Sequence, residues 1–162
     1  MAPKAVSLWV VLTRDGRTVI PLNRRGPLNA EGREQSYKGL LQPPVHGKTE
    51  GRTPQVALLA EVEEEGGPAF AGMIRSILTL VRELPPINGI QPYRVDLTEA
   101  QWATYRRGRE FLDEEILVEA ADLMTFAMAD PEGDKPYARA ARMMFRDHLD
   151  VLSSILMPKL PD

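Results

Sequence analysis

Four glutamates crowd the end of one expected helix. In GKTEGRTPQVALLAEVEEEGG, residues 47–67, Glu61, Glu63, Glu64 and Glu65 come just before Gly66 and Gly67. At about 100° per residue, Glu65 lies about 40° to one side of Glu61 and Glu64 about 60° to the other, while Glu63 points about 160° away. Three carboxylates therefore share a face, and Leu58, Leu59 and Val62 form an adjoining apolar arc. Like charges three and four residues apart repel by roughly 0.2–0.5 kcal/mol per exposed pair, and the helix dipole disfavours them at this end. No lysine or arginine stands between Ala57 and Gly67 to offset them. A hard divalent cation, Mg2+ or Mn2+, would do so, since such ions take carboxylate oxygens and bridge to substrate phosphates. The competing reading is a charged, solvated helix end, and the helix by itself favours that reading.

The elements around it are legible. Thr53 supplies a capping hydroxyl, Pro54 suits the first helical position and the paired glycines suit a helix end, so a helix is expected over Pro54–Glu65. Upstream, AVSLWVVLT, the turn RDGR and TVIPLNRR read as a β-hairpin, with Pro21 at an edge or bulge. Residues 26–51 are rich in Gly, Pro, Asn and Gln and read as a long loop, with a short strand at YKGLL. Residues 72–84 fit a strand or a helix equally, and IQPYRVDL reads as a strand. Thr98 to Gln101 form a capping box, and apolar residues then recur at helical spacing through Trp102, Tyr105, Leu112, Ile116 and Leu123 to about Met128. After the turn ADPEGDKP, a second helix runs through Tyr137, His148 and Ile155 and stops before Pro158. The expectation is an α+β fold in one domain, residues 1–162: a mixed sheet with the glutamate helix packed on it over 1–97, and a C-terminal helical hairpin over 98–157.

Composition limits the partners. The chain has 162 residues, 43% hydrophobic and 27% charged, with a formal net charge of −3. That balance gives no reason to expect nucleic-acid or anionic-membrane binding. With no cysteine, disulfides, thiolate metal sites and thiol catalysis are all excluded, and a cytoplasmic location fits. The opening apolar run is far shorter than the ~20 residues a membrane span needs.

Other chemistry-bearing residues have a bland reading beside the sharp one. Arg24 and Arg25 end the hairpin and are suited to phosphate, or to plain surface. His46 could be a base or a ligand, though a lone loop histidine is more often neither. His148 lies on the apolar stripe of the last helix, where a hydrogen-bonded core histidine is the better reading. DEEILVEAAD places Asp113, Glu114, Glu115, Glu119 and Asp122 in a second acidic stripe, read as solvated. Met124, Met128, Met143 and Met144 read as core or dimer packing, so a homodimer through the helical hairpin is expected. The basic run YRRGRE is isolated in an acidic chain.

With its surroundings, the glutamate stretch resembles the Nudix hydrolase family, whose sequence box ends Arg-Glu, aliphatic, any residue, Glu-Glu, any residue, glycine. Glu61-Val62, Glu64-Glu65 and Gly67 fall on that pattern, and VVLTRDGRTVIPLNRRG resembles the hairpin that precedes the box. The match covers roughly Val6 to Gly67; residues 68–97 fit it loosely and the C-terminal helices go beyond the minimal fold. The box arginine is replaced by Ala60 and the upstream glutamate by Arg52. The leading glycine position counts to His46, with Gly47 next to it. The resemblance implies a Nudix-like fold. It further implies divalent-metal-dependent hydrolysis of a pyrophosphate bond in a nucleoside-diphosphate-linked small molecule. Glu61, Glu64 and Glu65 would hold Mg2+ or Mn2+, one of them serving as base, while Arg24, Arg25 and Gly47 bind substrate. Ala60 and Arg52 favour a second reading, a catalytically inactive Nudix-fold binding or regulatory module acting through the C-terminal helices. The third is an unrelated α+β protein with solvent-facing glutamates.

Overall fold

A computed structural model describes residues 2–127 and 138–157. Strand β1 (Ala5–Arg14) turns through Asp15 and Gly16, both at positive φ, into β2 (Arg17–Arg24), as the Asp-Gly pair predicts. Two short strands lie inside the expected loop, β3 (Leu41–Gln42) and β4 (Val45–Lys48). Of YKGLL only Leu41 is in a strand, since Tyr37 has left-handed φ and Gly39 continues the bend. Next come α1 (Pro54–Gly66) and α2 (Pro68–Ser76). The ambiguous segment 72–84 is some of each: helix to Ser76, a 3-10 turn at Leu78–Leu80, then β5 (Arg82–Glu83). The rest is β6 (Ile90–Asp96), α3 (Glu99–Trp102), β7 (Ile116–Val118), α4 (Leu123–Ala127) and α5 (Ala138–Leu156).

β1 is the spine of a mixed sheet. On one edge it runs parallel to β6, from Ala5 opposite Ile90 to Val11 opposite Asp96. On the other edge its first half, Ala5 to Leu8, pairs antiparallel with β4, and its end, Leu12 to Arg14, pairs with β2. β2 then turns to β7 and β3, and Pro21 sits opposite Leu117 beyond the stretch that pairs with β1. A parallel partner needs a crossover, and α1 and α2 supply it.

The strand period of two sends alternate residues of β1 to two cores. Val6, Leu8, Val10 and Leu12 pack with Ala57, Leu58 and Val62 of α1 and with Phe70 and Ile74 of α2. Trp9 and Val11 pack on the other face with Val151, Leu152, Ile155 and Leu156 of α5. The expected helix and sheet are therefore present, Leu58 and Val62 of the apolar arc are buried while Leu59 is half-buried and outside both cores, and α1 extends one residue beyond Glu65. Gly66 is required by contact: a Cβ there would lie 2.3 Å from the Phe70 ring.

The long helix expected from Thr98 to Met128 is corrected. Its capping box forms, but the helix stops at Trp102, and helix returns only at a 3-10 turn over Ala120–Asp122 and at α4. Residues beyond it exchange helical hydrogen bonds for tertiary ones. The Arg106 amide donates to Gly66 O at 2.9 Å, the Leu112 amide donates to Arg24 O at 2.9 Å, and β7 takes a free edge of β2. Leu112, 39% exposed, shows that its helical spacing was coincidental. The helical hairpin is thus formed by short α4 and long α5, which lie against each other. Met128 and the turn expected at 129–136 lie outside the described residues, as do the side chains of Met143 and Met144; Met124 is 74% exposed. Among the described residues no helix is long and apolar enough to cross a membrane.

Candidate functional site

The C-terminal half of α1 faces β4 across a narrow gap. Thr53 accepts a hydrogen bond from the Val56 amide at the start of the helix, and burial of Leu58 and Val62 fixes its rotation. That rotation turns Glu61 and Glu65 toward β4. The Glu61 side chain is only 14% exposed and lies so close to Gly47 that a Cβ there would be 2.1 Å from its carboxyl carbon. Glu65 Oε2 accepts a hydrogen bond from the His46 amide at 2.7 Å. Glu64 is exposed beside them, and Glu63 leaves the group to pair with Arg75 Nη2 at 3.1 Å.

The electrostatics follow from burial and crowding. Loss of water, then the Glu64 charge, pushes the Glu61 carboxyl up to about 7, against the pull of Arg52. Burial pushes Glu65 up to about 9; the His46 amide opposes this, and the charges of Glu61, Glu110 and Glu64 add to it. The expectation that nothing offsets these charges is corrected: the helix has no internal cation, but Arg52, from the preceding loop, places Nη2 3.8 Å from Glu61 Oε1. Arg25 acts on Glu65 only at electrostatic range.

Arg24 and Arg25 diverge. Arg24 pairs with Glu114 at 3.1 Å and donates to Gly39 O, whereas Arg25, tied to Gln35 Oε1 at 2.8 Å and Ser36 O, lies within electrostatic reach of Glu65 and Glu110. The Gly47 position makes room for Glu61. His46 turns its ring to the α5 side, edge-on to His148 at 5.3 Å. Burial holds His46 down at about 4, with Arg25 adding to the effect. His148 is a core residue as expected, touching Trp9, but its Nε2 has no hydrogen-bond partner, which the sequence reading did not foresee. Four of the five residues of the second acidic stripe, read as solvated, are paired with arginines: Asp113 with Arg107, Glu114 with Arg24, Glu115 with Arg14 and Glu119 with Arg17, while Asp122 accepts from the Glu119 amide at 3.1 Å.

Three residues beside the glutamates escaped the sequence reading. The Tyr105 hydroxyl donates to Pro44 O at 2.7 Å and accepts from Asn23 Nδ2 at 2.6 Å, and Asn23 Oδ1 accepts from Arg107 Nε at 2.7 Å. Tyr105 stacks on Trp102 at 4.6 Å and feels the Glu65 charge. No local signal marks this chain of contacts, because it joins β2 to a segment whose spacing reads as helix.

Among the described residues no three His, Cys, Asp or Glu side chains converge as a ready-made metal cage. The donors nevertheless suit a hard ion in kind: they are carboxylate oxygens, and Mg2+ needs only one or two from a protein when substrate phosphates supply the others.

Compared by sequence, the chain matches no family model and no curated protein. Compared by structure, it is similar to an Ap4A hydrolase of C. elegans in a binary complex, at TM-score 0.50 and 13% identity, over 94% of this chain and 99% of that one. It is similar to a MutT/Nudix family protein from Listeria innocua, also at TM-score 0.50, with 15% identity over 98% and 97% of the two chains. Identity this low speaks for architecture alone, and the architecture agrees with the strand order and helix placement above: the chain has a Nudix-like fold.

Proposed function

We propose that the chain, acting as one cytoplasmic domain, hydrolyses a pyrophosphate bond in a nucleoside-diphosphate-linked small molecule with the help of Mg2+ or Mn2+. The observation that carries this reading is the pair Glu61 and Glu65, half-buried against the backbone of β4 with Glu64 beside them, in a Nudix-like fold. Glu61, Glu64 and Glu65 would hold the ion, which supplies Lewis-acid polarisation of phosphoryl oxygens. One of the three carboxylates would take the proton from the attacking water. Arg25 is the first candidate to meet substrate phosphate, because Arg24 is engaged by Glu114. The test is a screen of nucleoside-diphosphate compounds with Mn2+, with Glu64→Gln as control. Hydrolysis of at least one compound, lost in the control, supports the reading, and a silent panel counts against it.

A catalytically inactive binding or regulatory module is favoured by Ala60 and by the Arg52–Glu61 contact, which gives Glu61 a structural partner. Binding of a nucleoside diphosphate without turnover would select it. The homodimer expected from two long helices now rests on α5 and on exposed Met124 and Met157. A light-scattering mass near 18.1 kDa at high concentration would reject it.

A further inference from the structure

Arg52 is fixed by the backbone around it. Its Nε donates to Thr49 O at 3.0 Å and its Nη2 to Lys48 O at 3.2 Å, so moving the guanidinium breaks two hydrogen bonds at the end of β4. From that anchorage Nη2 stands 3.8 Å from Glu61 Oε1. Gly47 lies against the same carboxylate. Glu61 therefore lies in a slot close to both a strand and a tethered positive charge.

A bare divalent ion approaching Glu61 meets that charge at short range, and the repulsion of a double by a single positive charge is twice that of two single ones. A diphosphate reverses the sign. It brings negative charge that satisfies both cations, and its oxygens are acceptors for guanidinium N–H groups. We propose that Arg52 is a built-in counter-cation that keeps a divalent ion off Glu61 until a diphosphate arrives, so that ion and substrate enter the site together. This rests on the hydrolase reading above and adds an order of binding to it.

The test is Mn2+ affinity, read by thermal shift and equilibrium dialysis without any turnover, for Mn2+ alone and with α,β-methylene-ADP, corrected for Mn2+ held by the free analogue. Wild type should bind Mn2+ about tenfold more tightly with the analogue than without it. Arg52→Gln should bind Mn2+ alone about tenfold more tightly than wild type, and Arg52→Lys should resemble wild type. Equal affinity of wild type and Arg52→Gln for Mn2+ alone, or weaker binding by Arg52→Gln, overturns the proposal and leaves the hydrolase reading standing. Mn2+ affinity in wild type that ignores the analogue overturns it too, and this comparison holds even if Arg52→Gln does not fold. Absence of Mn2+ binding in every form and condition removes both the proposal and the metal-dependent reading.

Discussion

The molecule carries two acidic regions that look alike in sequence and differ in how their charge is met. Along residues 113–119, Asp113, Glu114, Glu115 and Glu119 each face a particular arginine. At the end of α1, Arg52 Nη2 stands 3.8 Å from Glu61 Oε1, Arg25 lies within electrostatic reach of Glu65, and Glu61 and Glu65 are partly withdrawn from water. The first arrangement is balanced and ties a non-helical segment to the sheet. The second crowds partly desolvated carboxyls that hold their protons above the usual carboxylate range, a condition that a structural role alone does not require. Acidic residues become informative when they are crowded together and partly desolvated rather than paired one to one with arginines.

The comparison breaks most sharply at Gly47. A Cβ there overlaps the flexible end of Glu61 rather than backbone, so Gly47→Ala should leave the fold intact and swing the carboxylate out of its slot. Hydrolysis measured with Mn2+ should fall by about 100-fold, a loss typical of a displaced catalytic group, with a stability change below about 1 kcal/mol. An unchanged rate would mean that the slot has no role.

The next effect is on pH. Glu65 and Glu61 have folded values of about 9 and about 7, above the usual carboxylate value, so their contribution to stability is complete below about pH 4.5 and declines as pH rises through 7 to 9. His46 and His148 are depressed to about 4 and about 3, so stability falls as pH drops below about 6.5 toward those values. Thermal melts in EDTA should therefore show a maximum near pH 6, and Glu65→Gln should flatten the alkaline limb while leaving the acid limb. A wild-type melt that is flat from pH 6 to 9 contradicts the burial of Glu65.

These effects arise from contacts of very different sequence range, which explains how much could be read in advance. The hairpin, α1 and its single acidic face follow from local signals: Asp15-Gly16, Thr53-Pro54, and the spacing of Leu58 and Val62 against Glu61 and Glu65. β4 was invisible because Val-His-Gly-Lys has neither length nor alternation, and it becomes a strand only by pairing with Ala5 to Leu8. The helix expected after Thr98 failed because Arg106, Leu112 and Ile116 to Val118 find partners on α1 and β2. Counter-charge was sought within the helix, whereas Arg52 and Arg25 reach it from loops.

Smaller effects sharpen the contrast. His148 buries an Nε2 with no partner, so His148→Leu should raise stability by about 1 kcal/mol in chemical denaturation, and a loss would point to a hydrogen bond made in solution. In the balanced acidic region, Glu114→Gln removes a half-exposed pair and should change stability by less than about 0.5 kcal/mol, with no effect on hydrolysis.

The most direct measurement sets two glutamates of one helix against each other. Glu61→Gln and Glu63→Gln differ by the same single charge, but Glu61 lies in the slot beside Gly47 while Glu63 pairs with Arg75 on another face. Assayed with Mn2+ on whichever nucleoside-diphosphate compound the wild type cleaves, Glu61→Gln should lose about 100-fold or more in kcat/KM and Glu63→Gln should match the wild type. Equal losses in both, or none in either, would contradict the assignment of the site.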